Sequence, residues 1–209
     1  LLSATGKMLK SETPTVGIIL RPGNASGLEA CTWRTRGCTA VCVLEESFRG
    51  RDAGNRHARD LRTLFLVADP QAFVTCVAGE LEDLVRKYGR VLFRPNVASD
   101  LRWEYIAPKL FRIAGVSSYD YTKADPMRHR GKVRGYRLVY SVSELPRSED
   151  VALEYMRAGG TAAVVLDARR HALPRTWRGV RVIDGDLGDD RTRDPRGVVV
   201  GLAVKANGR

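Results

Sequence analysis

The sequence lacks several features that would place it in a familiar class of proteins. It has no apolar run near the roughly 20 residues needed to cross a bilayer, and residues 1–10 hold no apolar core long enough for a secretory signal. It also lacks a Walker loop, a GxGxxG fingerprint, an HExxH pair and a nucleophile elbow. These absences disfavour a membrane protein, an ordinary ATPase, a Rossmann enzyme and a hydrolase, so we expect a cytoplasmic protein of another class.

Acidic residues are too few to balance the basic ones. The chain has 24 Asp and Glu against 35 Lys and Arg, which gives a net charge of +11 and a sequence pI near 9.9. Such a surplus attracts polyanions, because binding releases the counterions condensed on phosphates. We therefore expect DNA, RNA or a nucleotide as the partner, and no membrane. The alternative is an Arg-rich, solubilising surface of the kind that high-GC genomes produce.

The periodicity of apolar residues predicts one α/β domain over residues 1–209. A hydrophobic content of 44% in 209 residues is enough for one substantial core. Strands alternate with helices, and several strands are continuous apolar runs, which is typical of a parallel sheet covered on both faces. We expect a partial (β/α) barrel or an open, mostly parallel sheet. The predicted strands are 15–20, 90–94, 116–121, 136–142, 161–166, 180–183 and 198–204, the helices begin near 58 and cover 73–88, 103–113 and 149–157, and a cysteine-containing loop spans about 23–55.

Three cysteines lie in the long loop after the first apolar strand. Cys31, Cys38 and Cys42 have the spacing C-x6-C-x3-C, and three thiolates in one loop can bind a metal while leaving one coordination position open. In a reducing cytosol such a cluster favours an iron–sulfur centre or a catalytic metal over disulfides. Two alternatives stay open: structural zinc completed by His57 or an outside ligand, and buried thiols without metal. Cys76 falls on an apolar helix face and is expected in the core.

Polar side chains follow the predicted strands at their carboxyl ends, where parallel α/β domains place active sites. Asp100, after the second strand, is a candidate for proton transfer, with a helix N-cap as the alternative. Asp120 and Lys123 offer a proton acceptor and a phosphate contact, with a buried structural ion pair as the alternative. Catalytic roles are thus predicted for Asp100, Asp120, Tyr121, Lys123 and Glu144, and substrate or cofactor contacts for Asn96, Ser99, Ser141 and Ser143.

A basic loop between the third and fourth predicted strands is a candidate for contact with phosphates. The alternative is a solvated basic loop without a ligand. Trp33 and Tyr121 are candidates for stacking on bases, although aromatic residues near a core more often pack against it. The basic loop contains Arg128, His129, Arg130, Lys132 and Arg134.

Several sequence blocks in a fixed order resemble a family of uncharacterised bacteriophage and prophage proteins of about this size. The resemblance spans nearly the whole chain. It implies a phage-borne origin, and therefore the cytoplasm of the host cell as the location. The blocks are Leu20-Arg21-Pro22 with Ser26-Gly27, the three cysteines, Ser99 to Glu104, Tyr119 to Lys123, Leu138 to Glu144, Asp184 to Asp186, and Val199 to Leu202.

The cysteine loop also resembles, in its logic, the three-cysteine loop of radical S-adenosylmethionine enzymes, whose partial barrels hold a four-iron cluster with one open iron. Related phage genes include paralogues of the tRNA-guanine transglycosylase barrel, which insert deazaguanine bases into DNA. These resemblances imply an iron–sulfur cluster and S-adenosylmethionine as candidate cofactors, with zinc as the alternative. The leading hypothesis is a phage-encoded enzyme that modifies nucleic acid or nucleotides. Its rivals are metal-independent base exchange on DNA, and a non-enzymatic, zinc-stapled nucleic-acid-binding protein.

Overall fold

The computed structural model describes residues 1–24, 26–40, 42–46, 52–168 and 172–204, and within these ranges nine strands form one sheet. Their order across the sheet follows the chain from the first strand to the sixth and then runs ninth, eighth, seventh. The strands are β1 (Leu2–Ser3), β2 (Thr15–Ile18), β3 (Val91–Arg94), β4 (Val116–Thr122), β5 (Tyr136–Ser141), β6 (Thr161–Leu166), β7 (Thr176–Trp177), β8 (Val180–Asp184) and β9 (Val199–Ala203).

The sheet is parallel from β2 through β6 to β9 and β8, and the outer strands β1 and β7 run antiparallel to their neighbours. Because β2 to β6 follow chain order and crossovers are right-handed, their connections are expected on the same face of the sheet. β1 and β7 are the two edges and do not pair with each other in the described part of the chain. The predicted α/β fold with a mostly parallel sheet is therefore confirmed, in its open form.

The helices begin and end at residues whose chemistry explains the boundaries. Asp69 separates two long helices: its side chain accepts from the Ala72 N–H at 2.9 Å, and Pro70 takes the first helical position, where its missing N–H costs nothing. No helix of the described residues is long and apolar enough to cross a membrane. The helices are α1 (Arg36–Ala40), α2 (Val43–Glu46), α3 (Ala53–Ala68), α4 (Pro70–Tyr88), α5 (Trp103–Ile106) and α6 (Ser148–Arg157), with 3-10 turns at Met8–Lys10 and Pro108–Arg112.

One face of the sheet packs against the helices through an apolar core. Phe73, Val77 and Leu81 recur at helical spacing on α4, and all three are fully buried in one cluster with Phe93 of β3 and Trp103 of α5. Further along the sheet, α6 covers β5, β6 and β9 with a second apolar cluster. Burial of this surface is the main contribution to folding on this side of the molecule.

The opposite face of the sheet combines a small apolar cluster around Val139, Ala163 and Val200 with charged and polar residues, and the segment 185–196 lies against the polar part. Arg94 and Tyr119 both donate to the Asp189 carboxylate, at 3.2 and 2.9 Å. Arg137, the register partner of Tyr119 on the next strand, donates to the backbone carbonyl of Asp194 at 2.6 Å. This segment covers part of the face, and the carboxyl ends of the strands beyond it border a cavity.

Three expectations about local structure need correction. The loop predicted at 23–55 contains α1, α2 and the start of α3, because the caps Thr35 and Asp52 begin helices within it; its residues 25, 41 and 47–51 lie outside the described residues. The helix predicted at 103–113 is interrupted at Ala107, because the following Pro108 disfavours continued α-helix. Cys76 is exposed, because only the opposite side of α4 packs on the sheet.

Candidate functional site

A cavity of about 680 Å³ opens at the carboxyl ends of the parallel strands. Its walls come from the loops after β2, β3, β4, β5 and β6, which the parallel arrangement brings to one edge of the sheet. Asp120 and the basic loop are not among the residues that line it in the described part of the chain. The predicted site residues that do line it are Cys31, Cys38, Cys42, Asn96, Ser99, Asp100, Tyr121, Lys123, Ser141, Ser143 and Glu144.

The three cysteines of the loop line this cavity as free, partly buried thiols. The Cys31 Sγ donates to the Ala98 carbonyl oxygen at 3.5 Å, and burial raises the pKa of the Cys31 thiol above its usual value. The thiols do not form a closed ligand set, since no three His, Cys, Asp or Glu side chains of the described residues are grouped to hold an ion. His57 is exposed on α3 and is not part of the cavity lining, so this geometry does not provide it as a fourth ligand.

Glu144 connects the cysteine loop to the end of β5. The Thr35 hydroxyl donates to one carboxylate oxygen of Glu144 at 2.8 Å, and the Gly37 N–H donates to the other at 2.7 Å. Thr35 also accepts from the Cys38 N–H at 3.1 Å and so caps α1. The hydrogen bond from the Gly37 N–H is the main cause that lowers the pKa of Glu144. The carboxylate is therefore ionised at neutral pH and already engaged by the loop.

Asn96 organises the loop that follows β3. Its Oδ1 accepts from the Ser99 hydroxyl at 2.7 Å, the Leu101 N–H at 2.9 Å and the Trp103 indole N–H at 3.1 Å. Its Nδ2 donates to the Leu101 carbonyl oxygen and to the Asp120 carboxylate, both at 2.9 Å. Asn96 and Ser99, predicted to contact substrate or cofactor, thus use these hydrogen bonds to shape the loop itself.

Asp100 lies at the wall of the cavity and is nearly buried. Its carboxylate accepts from the Lys123 N–H at 2.7 Å and from the Arg130 guanidinium at 3.0 Å, and burial raises its pKa above the usual value. It does not cap α5, because the N-cap residue of that helix is Arg102. A carboxyl group with a raised pKa at a cavity wall is suited to proton transfer.

Asp120 lies beneath the cavity, fully buried. Its carboxylate accepts from the Asn96 N–H at 3.0 Å and the Tyr136 hydroxyl at 2.8 Å, and burial raises its pKa to about 7. The alternative of a buried Asp120–Lys123 ion pair names the wrong partner, because the cation within salt-bridge distance of the Asp120 carboxylate is Arg94, at 3.9 Å. Asp120 supports the loop from below, whereas Asp100 faces the cavity.

Tyr121 and Lys123 line the cavity on either side of the end of β4. The Arg94 guanidinium lies over the Tyr121 ring, 4.7 Å from its centroid, and burial raises the pKa of the Tyr121 phenol to about 12. The phenol is thus a neutral hydrogen-bond donor at physiological pH. Lys123 is only partly buried, so its ammonium group brings a positive charge to the cavity.

Ser141 and Ser143 lie where β5 meets the cavity. The Ser143 N–H and hydroxyl both donate to the Ser148 hydroxyl oxygen, at 2.9 and 3.3 Å. Ser148 in turn shares a hydrogen bond with the Tyr140 hydroxyl at 3.0 Å. Ser143 therefore helps to hold the first turn of α6.

The basic loop divides into an exposed part and one buried residue. Arg128, Lys132 and Arg134 are exposed, and His129 stacks on Trp33 of the cysteine loop with ring centroids 4.8 Å apart. Arg130 is buried instead. Its guanidinium donates to both carboxylate oxygens of Glu104, at 2.7 and 3.0 Å, in addition to Asp100. Since Trp33 also lines the cavity, His129 lies beside its rim. Arg130 is engaged by two carboxylates and is not exposed for the predicted phosphate contact.

Four residues that shape the site have no predicted role. Arg94 and Asp189 form a buried ion pair at 3.2 Å behind Tyr121, Thr35 caps α1, and Trp177 lines the far wall of the cavity. A terminal arginine on the apolar strand VLFR, and a threonine directly before a short helix, are signals that a sequence carries. The pairing of Arg94 with Asp189 has no such signal, because it joins residues 95 positions apart.

Comparison with protein families gives a match that covers almost the entire chain. The model of the family described as Gene product 88 matches residues 2–209. The chain belongs to the Gene product 88 family. This agrees with the resemblance to a phage-type gene-product family. No curated protein and no solved structure matches the chain.

Proposed function

We propose that this Gene product 88 protein is a phage-borne enzyme that modifies nucleic acid or a nucleotide, with a metal or iron–sulfur centre bound by Cys31, Cys38 and Cys42. The observation that carries the proposal is that three free thiols line the same cavity as Asp100 and Lys123, at the carboxyl ends of parallel strands. Active sites of parallel α/β domains lie at this edge. Thiols that line one cavity at this edge favour ligation or redox chemistry over a packing role.

The donor set suits iron or zinc, which thiolates bind well. The described residues do not group three such donors around one point, so metal binding would have to draw the thiols together. A bound iron–sulfur centre would supply an open iron for substrate or for S-adenosylmethionine, and a zinc ion would supply a Lewis acid. The raised pKa of Cys31 means that a metal must displace its proton on binding.

The residues around the thiols support proton transfer and recognition of an anionic substrate. Asp100 is a proton donor or acceptor at the wall, and Lys123 provides a positive charge for a phosphate. Arg128, Lys132 and Arg134 are exposed in the same loop as His129, which stacks on Trp33 of the cavity wall. Aromatic rings next to basic side chains are a common arrangement for single-stranded nucleic acid.

The metal is tested by purifying the full chain under anaerobic, iron-replete conditions and measuring iron, sulfide and zinc. We expect bound iron with absorbance at about 400 nm from thiolate-to-iron charge transfer, and loss of both the iron and the absorbance in Cys38→Ser. Cys76→Ser is the matched control, because Cys76 is an exposed thiol on α4 away from the cavity. Wild-type protein with neither iron nor zinc, or equal loss of metal in both variants, would overturn the proposed centre.

The substrate class is tested by the salt dependence of binding to single-stranded oligonucleotides. The triple variant Arg128→Ala, Lys132→Ala, Arg134→Ala should reduce the slope of log K against log salt by about 1 for each phosphate that is no longer neutralised. The control is Lys109→Ala with Arg112→Ala, which removes two exposed basic residues flanking Leu110 and Phe111 of the helix-side core. An unchanged slope in the triple variant would exclude these residues as phosphate contacts. Mass spectrometry of nucleosides from cells expressing the protein then reports the modification itself.

Metal-independent base exchange is the second candidate function. The position of Asp100 makes it a better candidate for the nucleophile than Asp120. A nucleophile must reach the glycosidic carbon, and Asp100 lines the cavity whereas Asp120 lies beneath it. This candidate predicts that Cys38→Ala keeps the modification and Asp100→Asn abolishes it. Stoichiometric zinc together with salt-dependent binding and no modified nucleoside would instead support the zinc-stapled binding protein.

A further inference from the structure

We infer that Glu144 is a positioning residue that holds the cysteine-bearing helix α1 against the cavity. Only the part of the test that measures metal affinity rests on the proposed function. Glu144 lies beyond the end of β5 and the cysteine loop lies after β2, so the contact joins segments more than 100 residues apart.

The contact is a two-point hydrogen bond. One oxygen of the Glu144 carboxylate accepts from the Thr35 hydroxyl at 2.8 Å, and the other accepts from the Gly37 N–H at 2.7 Å. The Thr35 hydroxyl oxygen accepts from the Cys38 N–H at 3.1 Å. The first N–H groups of a helix have no partner within the helix, and here Glu144 and Thr35 together provide partners for two of them.

Gly37 supports the same contact independently. A Cβ at this position would lie 2.9 Å from the Glu144 carboxyl carbon and 3.0 Å from both its oxygens, which is closer than side-chain carbons normally approach. Gly37 does not have a positive φ, so the backbone conformation does not require glycine. The absence of a side chain is therefore explained by the approach of the carboxylate.

The consequence for the site follows from the position of Cys38. It is the third residue of α1, and its own N–H is part of the hydrogen-bonded cap. Both carboxylate oxygens of Glu144 hold the segment that carries Cys38, so we assign it the role of placing the thiol. Without these hydrogen bonds, α1 should separate from the wall and the Cys38 thiol should become more accessible.

The test compares variants of the full chain, prepared without added metal, by hydrogen exchange of the peptide that contains Gly37 and Cys38 and by alkylation of Cys38 with N-ethylmaleimide. Glu144→Ala removes both acceptors, and loss of these hydrogen bonds should increase exchange and alkylation by roughly five- to tenfold. Glu144→Gln keeps one acceptor and should show a smaller increase. Gly37→Ala should reproduce the effect of Glu144→Ala, because the new methyl group displaces the carboxylate.

The matched control is Glu149→Ala, which removes another carboxylate that lines the same cavity. The Glu149 carboxylate pairs with Arg178 at 2.8 Å and not with Thr35 or Gly37. Its variant should stay within about twofold of wild type in both measurements, as expected for an ion pair near the solvent. Alkylation of the exposed Cys76 serves as an internal reference in each variant, and circular dichroism shows whether the variant is folded.

If Glu144→Ala and Glu149→Ala give the same exchange and the same Cys38 alkylation, the inference is overturned. If wild-type protein binds iron or zinc, Glu144→Ala should also weaken metal affinity and Glu144→Gln should restore part of it. Failure of wild type to bind metal would reject the metal centre while leaving the exchange and alkylation results to decide the role of Glu144.

Discussion

The apolar core beneath α4 and the polar network beneath the cavity are built on the same strands but in different ways. In the core, Phe73, Val77 and Leu81 pack against other apolar side chains without directional bonds. In the network, Asn96, Asp120 and Arg130 each satisfy several specific partners at hydrogen-bond distance. The core needs side chains of suitable size and polarity, whereas the network needs one particular partner for each donor and acceptor.

This difference predicts how the two regions tolerate change. An apolar cluster can repack around a side chain of similar volume. A buried polar group that loses its partner keeps the full cost of leaving water. The network should therefore be the less tolerant region, although it buries less apolar surface.

The largest loss of stability is expected for Arg130→Ala. It removes the bidentate partner of Glu104 and a partner of Asp100, and leaves both carboxyl groups buried. The free energy of unfolding, measured with urea, should fall by about 4 kcal/mol. Arg130→Lys should recover only part of this, because an ammonium group cannot form the planar two-point contact. The exposed neighbour variant Arg128→Ala should change stability by less than about 0.5 kcal/mol, and an equal loss in both arginine variants would contradict the comparison.

A somewhat smaller loss is expected in the apolar core. Leu81→Ala removes a fully buried side chain and should lower the free energy of unfolding by roughly 3 kcal/mol. Leu81→Met conserves volume and should cost less than about 1.5 kcal/mol. Cys76→Ala, on the exposed side of the same helix, controls for effects on helix propensity. If Leu81→Met lowers the free energy of unfolding as much as Arg130→Lys does, the distinction between the two regions is contradicted.

The smallest effect, at most about 1.4 kcal/mol for each pH unit, is expected in the pH dependence of stability. Burial raises the pKa of Asp120 to about 7, well above the ordinary value for an aspartate, so the folded protein binds a proton that the unfolded chain releases. The resulting stabilisation is complete below about pH 4 and is lost as the pH rises towards 7. The side chain at position 120 cannot titrate in Asp120→Asn. The free energy of unfolding of wild type should therefore fall relative to that of the variant as the pH rises over that range. Parallel pH profiles of the two proteins would contradict the raised pKa.

Much of the fold is predictable, because periodicity reports which side of an element is buried. The segments Thr15–Ile18, Val91–Arg94 and Thr161–Leu166 are strands close to their predicted bounds. The short edge strands Leu2–Ser3 and Thr176–Trp177 are not predictable in this way, since two residues carry no period. The prediction that Cys76 lies in the core is wrong, because the buried face of α4 is narrower than its apolar pattern indicates.

The sequence predicts which loops meet at the site. It does not predict the role of each side chain there. The three cysteines, Asp100 and Lys123 follow strands whose carboxyl ends share one edge, so their common cavity follows from the topology. The sequence does not separate Asp100 at the wall from Asp120 beneath it, since both follow or end apolar strands. It also does not separate the buried Arg130 from its exposed basic neighbours, because the partner carboxylate of Glu104 is 26 residues away.

The amino-acid order alone thus determined the α/β class, the parallel strands, the strongly basic charge and the clustering of thiols in one loop, because these depend on composition and on neighbours along the chain. Only the tertiary structure decided that Glu144 anchors α1, that Arg130 is enclosed by carboxylates and that Asp120 supports the loop from below. Each of those roles depends on a hydrogen-bond partner distant in sequence, and such a partner is selected by how the strands and loops pack in three dimensions.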